Sequence, residues 1–111
     1  LALALSGVVY SWGKGKSGRL GHSDEKNCLT PKKISGLRHI VHVSCGGSHS
    51  ICVNLHGEIF SFGCGRDGQL GHGNVYDIWS PTKIEFDFGC VIDCSAFNHT
   101  LVCSSLGLFS W

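Results

Sequence analysis

A shift of 50 residues lays this chain on itself. Gly7, Ser11, Gly13, Gly15, Gly18, Leu20, Gly21 and His22 fall on Gly57, Ser61, Gly63, Gly65, Gly68, Leu70, Gly71 and His72. Farther on, Pro31, Lys33, Ile34, Val41 and His49 fall on Pro81, Lys83, Ile84, Val91 and His99. A third copy opens with GLFSW at Gly107. A gapless period of this length is the mark of stacked supersecondary units, none of which buries its own faces alone.

Each unit offers four short strand candidates: GVVYSW and GEIFSF, TPKKI and SPTKI, HIVHVSC and CVIDCS, SICVNL and TLVCSS. No window carries an apolar stripe at helical spacing. Sixteen glycines against two prolines suit tight turns between strands. A strand opening on proline belongs at a sheet edge, where its missing N–H costs nothing. Ile40, Val41 and Val43, like Ile51, Cys52 and Val53, are apolar on both sides of their strands, as sheets covered on both faces require.

The expectation is an all-β fold of consecutive four-stranded antiparallel blades of a β-propeller. Residues 1–6 would end one repeat, 7–56 and 57–106 would be whole repeats, and 107–111 would start another, all within one domain. One complete blade should span 38–86, with 39–45 innermost. The 111 residues include no methionine, which reads as a fragment of a longer protein whose remaining blades complete the propeller. At strict spacing Asp93 falls where Val43 sits, and a one-residue slip around Ser95–Phe97 would turn it toward a polar position.

Gly13-x-Gly15-x-x-Gly18 after a strand is the spelling of a dinucleotide-binding turn. That turn requires a helix after the third glycine and an acid about 20 residues on. Here RLGHSDEKNCLTP follows, and the region near position 33 reads Pro-Lys-Lys. The glycines, which recur as Gly63, Gly65 and Gly68, are read as turn formers, and no cofactor is expected. His49-x-x-Cys52 becomes His99-x-x-Val102, so no metal ligand pair repeats. His22, His72, His49 and His99 are read as structural residues bonding to backbone across turns. No nucleophile, base and orienter are patterned together, so no catalytic residue is assigned. Trp12, Phe62 and Trp111 share one position and should pack blade on blade.

Seven scattered cysteines, mostly in apolar runs, fit a reducing cytoplasmic or nuclear setting. No apolar run approaches the length of a membrane span.

GKGKSGRLGHS, GCGRDGQLGHG and the P-x-K-I and H-[ST] signals after them resemble the regulator of chromosome condensation repeat family. Its pattern runs G-x-V-Y-S-W-G-x-G-x-x-G-x-L-G-H-G, then a proline, then a strand ending C-G-x-x-H-[ST]. Ser23, Phe62 and CSAFNH depart from it. Kelch repeats have a similar period, but Ala96-Phe97 breaks their Gly-Gly pair. The resemblance implies a seven-bladed propeller serving as a non-catalytic protein-interaction platform in a larger regulatory protein such as a ubiquitin ligase, with a ubiquitin-pathway substrate as partner. The alternative reading is guanine-nucleotide exchange on a small GTPase, and the second alternative is association with chromatin or nucleic acid.

Charge is what differs between the copies. Residues 7–56 carry seven Lys and Arg against two acids, net +5, while 57–106 carry two against six, net −4. Lys14, Lys16 and Arg19 should form a basic corner beside the short turns 46–48 and 96–98, and they are the candidate partner-binding residues.

Overall fold

The computed structural model describes residues 1–86, 91–96 and 99–111, and at 91–95 the backbone alone. Among these residues ten strands form three antiparallel sheets. The first holds β1 (Ala2–Leu3), β2 (Val9–Gly13) and β3 (Cys28–Lys33). The second is a four-stranded meander of β4 (Ile40–Cys45), β5 (His49–Asn54), β6 (Ile59–Gly63) and β7 (Ile78–Lys83). The third pairs β8 (Val91–Ala96), β9 (Thr100–Ser104) and β10 (Gly107–Ser110). One short 3-10 turn, Lys16–Gly18, follows β2. Among the described residues no helix is long and apolar enough to cross a membrane.

The sheets stack through two apolar layers. Val9, Ile34, Leu37, Ile40, Cys52 and Phe62 fill the first seam. Ile51, Val53, Ile59, Ile84, Ala96 and Val102 fill the second, with Phe109 and Trp111 against them. All six residues of β5 are buried, because it is covered on both faces and flanked on both edges. In β4 the expectation holds only in part. Ile40 is buried, Val43 half-buried and Val41 42% exposed, since β4 lies at the open edge of its sheet.

Phe62 is fully buried and lies against Gly21 in the β2–β3 connection, and Trp111 lies likewise against Gly71 in the β6–β7 connection. Trp12 is 43% exposed on the outer face of the first sheet. The prolines sit inside edge strands rather than at their starts. Pairing of β2 with β3 shifts register between Ser11 and Gly13, and β6 with β7 between Ser61 and Gly63. The irregularity leaves Pro31 and Pro81 without a ladder partner to satisfy.

The slip at Asp93 also resolves. Ile40 pairs with Asn54 and His42 with Val53, whereas Val91 pairs with Ser104 and Asp93 with Cys103. Strand β8 therefore runs 51 residues after β4, while β9 runs 50 after β5. One residue is gained between Ile84 and Val91 and one is lost between Ala96 and Thr100. Asp93 takes the register position of His42 rather than that of Val43.

Candidate functional site

The long connections after β2 and β6 share one hydrogen-bonded frame. Gly15 N–H donates to Asn27 Oδ1 at 3.0 Å, and Gly65 N–H to Asp77 Oδ1 at 3.0 Å. Gly18 N–H donates to Gly15 O, and Gly21 N–H to Gly18 O, each at 3.0 Å. In the second copy Gly68 N–H reaches Gly65 O at 3.0 Å and Gly71 N–H reaches Gly68 O at 3.2 Å. Ser17 N–H donates to Glu25 Oε1 at 3.1 Å. A phosphate-cradling loop aims such N–H groups at its ligand. Here the chain's own oxygens occupy them, so the glycines build a turn. Gly15 has an unremarkable φ of −99°. What it cannot carry is a Cβ, which would overlap the Lys26 carbonyl, and at Gly65 the Tyr76 carbonyl intrudes in the same way.

Each copy also pairs a serine with a histidine. Ser11 Oγ lies 2.6 Å from Leu20 O and 2.9 Å from His22 Nε2. Ser61 Oγ lies 2.7 Å from Leu70 O and 2.8 Å from His72 Nε2. A carbonyl only accepts, so each hydroxyl proton goes to the leucine carbonyl, and the hydroxyl oxygen accepts from Nε2–H. In a serine nucleophile the imidazole nitrogen must accept the hydroxyl proton. These pairs have the opposite polarity and serve as struts. The partner is thus a side-chain hydroxyl, where backbone alone was expected.

His49 repeats that polarity between sheets. Its Nε2 lies 3.0 Å from Thr100 Oγ1, whose own proton goes to Gln69 O at 2.8 Å. One sheet earlier, Ser50 Oγ donates to Arg19 O at 3.1 Å. His99, in register with His49 by sequence, is exposed.

Burial holds the pKa of His22, His49 and His72 below the ordinary 6.5. Lys32 lowers His22 further and His99 lowers His49, while Glu85 partly offsets the shift at His72. With folded pKa values depressed, the stability they contribute is fully present above 6.5 and is lost as pH falls through the folded values. Thermal melts should therefore fall between about pH 7.5 and about pH 5.5, before carboxylates titrate. His49→Gln should flatten that slope, and a wild-type melting temperature constant over the window would contradict the assignment.

Lys14 and Lys16 are exposed and flank Gly15. Lys26, missed in the sequence because only its backbone meets Gly15, brings a third exposed ammonium to the same loop. Arg19 is partly committed: its Nε donates to Lys16 O at 2.9 Å and its Nη1 to Gly47 O at 3.2 Å. It ties the basic loop to the turn after β4, as the expected placement beside 46–48 requires. Ala96 ends β8 at the second expected turn, and 97–98 lie outside the described residues. Asp24 Oδ1 accepts from Lys26 N–H at 3.0 Å, so both acids of this loop also cap backbone. The equivalent positions in the second copy hold Cys64, Arg66, Gln69 and Tyr76. Among the described residues no three His, Cys, Asp or Glu side chains gather as a metal site would need.

Meandering antiparallel sheets stacked face to face through two seams are consecutive blades of a β-propeller. Residues 6–53 and 56–103 each match the Regulator of chromosome condensation (RCC1) repeat, and 40–69 match a second form of it. The chain belongs to that repeat family.

It is similar to the human E3 ubiquitin-protein ligase HERC2, with 47% identity over 55 residues, 48% of this chain and 1% of HERC2. It is similar to human Protein RCC2, with 38% identity over 55 residues, 48% of this chain and 10% of RCC2. Among solved structures, human WBSCR16 superposes with a TM-score of 0.88 at 24% identity, over 98% of this chain and 29% of its own. That likeness is one of fold. Prp20p of Saccharomyces cerevisiae, whose structure was described with its binding to Gsp1p and histones, gives 0.83 at 27% identity, over 97% of this chain and 27% of its own. The chain thus spans between a quarter and a third of these two structures and a tenth or less of these two relatives.

Proposed function

We propose that the chain is a non-catalytic protein-interaction module within an RCC1-type propeller, and that the exposed corner of Lys14, Lys16 and Lys26, with Arg19 behind it, contacts an acidic surface of a partner protein. The observation that carries this reading is the contrast between two loops of one architecture. The frame atoms at Gly15, Asn27, Ser11 and His22 recur at Gly65, Asp77, Ser61 and His72, bond for bond. The outward side chains at 14, 16 and 26 do not recur; they change from three lysines to Cys64, Arg66 and Tyr76. A constant frame that displays changing side chains is what recognition requires, whereas stability alone would not discriminate among them. The setting is that of HERC2 and RCC2, larger proteins carrying related repeats.

Reversing Lys14 and Lys16 to Glu should weaken partner association by about tenfold at low salt and flatten its dependence on ionic strength. Exposed charges contribute little to folding, so the melting temperature should stay within a few degrees. Partner proteins retained equally by the reversed and the original chain at about 50 mM salt would remove this corner from the interface.

A further inference from the structure

The basic loop lies at one end of the strands; the opposite end holds a second group of cations. There the connection from β3 to β4 meets the β1–β2 and β5–β6 turns, with Ile40 N–H donating to Gly7 O at 3.1 Å and Leu55 N–H to His39 O at 2.8 Å. Between them opens a cavity of about 430 Å³ lined by Ser6, Val8, Lys33, Ser35, Arg38 and His39, among others. Its size falls in the range that small-ligand sites occupy.

The second copy shows what the first has lost. Lys83, the counterpart of Lys33, is bound by Glu58, with Nζ 2.8 Å from Oε2. The counterpart of Glu58 is Val8, which lines the cavity and offers no charge. Lys33, Arg38 and His39 are all exposed, and none forms an ion pair or side-chain hydrogen bond with another described residue. The site stays open when a neighbouring sheet covers the strand face. Lys83 and Glu58 keep 42% and 37% side-chain exposure although the first sheet packs against theirs.

His39 adds an independent sign. It holds φ at +54°, a left-handed conformation costly to any residue with a Cβ. It lies so close to Gly7 that a Cβ there would come within 2.8 Å of its Cα. Strain kept on a non-glycine residue at the mouth of a cavity points to use of its side chain.

We infer that this cavity binds a phosphate dianion, either free or as the phosphorylated serine or threonine of a partner. The guanidinium of Arg38 matches two phosphate oxygens in its plane, and Lys33 supplies a point charge. The Ser6 and Ser35 hydroxyls and the His39 ring supply directional donors. Val8 completes the site by keeping a competing carboxylate away from Lys33.

The test is binding to the full chain, followed by anisotropy, of a fluorescein-labelled glycine–serine peptide carrying one phosphoserine. Its unphosphorylated twin and inorganic phosphate serve as the other arms. The phosphopeptide should bind saturably and its twin should not. Val8→Glu, which rebuilds the Glu58–Lys83 arrangement, and the double change Lys33→Gln with Arg38→Gln should each weaken binding by about tenfold or more. Lys14→Glu with Lys16→Glu should leave it within about twofold, which separates this site from the basic corner. Competition by inorganic phosphate at the peptide's own affinity identifies free phosphate as sufficient, and much weaker competition identifies the esterified form. Equal binding of the two peptides, or Val8→Glu binding as tightly as wild type, overturns the inference.

Discussion

Phe62→Ala is expected to destabilise the chain by about 3–5 kcal/mol, the range for truncating a buried aromatic ring. Phe62 is fully buried in the first seam, among Val9, Ile34, Leu37, Ile40 and Cys52. Its ring lies on Gly21, where an added Cβ would come within 2.9 Å. The glycine lets the sheets approach, and the ring fills the gap that approach defines. Truncation leaves a void that both sheets line, and the second sheet cannot move to close it without parting from the other seam. Trp12→Ala is the matched control. Being 43% exposed, it should cost well under half as much. Denaturant unfolding of both variants decides it, and equal losses would mean that this position does not join the blades.

Gly15→Ala should cost about 3 kcal/mol, at the upper end for an added methyl without room. The backbone conformation at Gly15 suits alanine, so φ is not the reason. The obstacle is the Lys26 carbonyl, a backbone atom pinned in place because Asn27 Oδ1 holds Gly15 N–H at 3.0 Å. Gly65→Ala should behave alike, through the Tyr76 carbonyl and Asp77. Gly68→Ala separates the two effects. Its φ is +74° and nothing lies within 4 Å of its would-be Cβ, so only the left-handed penalty of about 1–2 kcal/mol applies. Should Gly15→Ala prove as mild as Gly68→Ala, the loop yields more readily than its hydrogen bonds suggest, and the rigid frame is the idea that fails.

The blades were legible because their signals are periodic. Gly13, Gly15, Gly18, Gly21 and His22 recur at one spacing, and apolar pairs such as Ile51 and Cys52 announce a strand covered twice. The cross-links were harder to read because they conserve an atom rather than a residue. Asn27 and Asp77 share only an Oδ1 acceptor, and Ser50 and Thr100 share only a hydroxyl, so identity counting passes over them. A search for equal side-chain donors and acceptors at the 50-residue offset would have found both pairs. Lys14 and Lys16 were visible as charge, but Lys26 reaches their loop only because the chain folds back on Gly15. The cavity beside Lys33 was hidden for a different reason. Its signal is a missing charge, Val8 in place of Glu58, and that loss has meaning only once Glu58 is seen to hold Lys83.

The paired gain and loss around β8 bears on how such blades can be recombined. A strand displaced by one residue presents its other side, so the gained residue before Val91 by itself would turn the whole of β8 inside out. The residue lost between Ala96 and Thr100 restores the phase for everything downstream. The two changes therefore act as a single genetic unit, neutral together and harmful apart. A chimera that crosses over inside β8, joining 1–92 to 43–56, keeps the gained residue but takes the longer connection before β9, so Val43 lands in the register position of His42 and the strand is inverted beyond the joint. A crossover within β7 and another within β9 would carry both changes and keep it in phase.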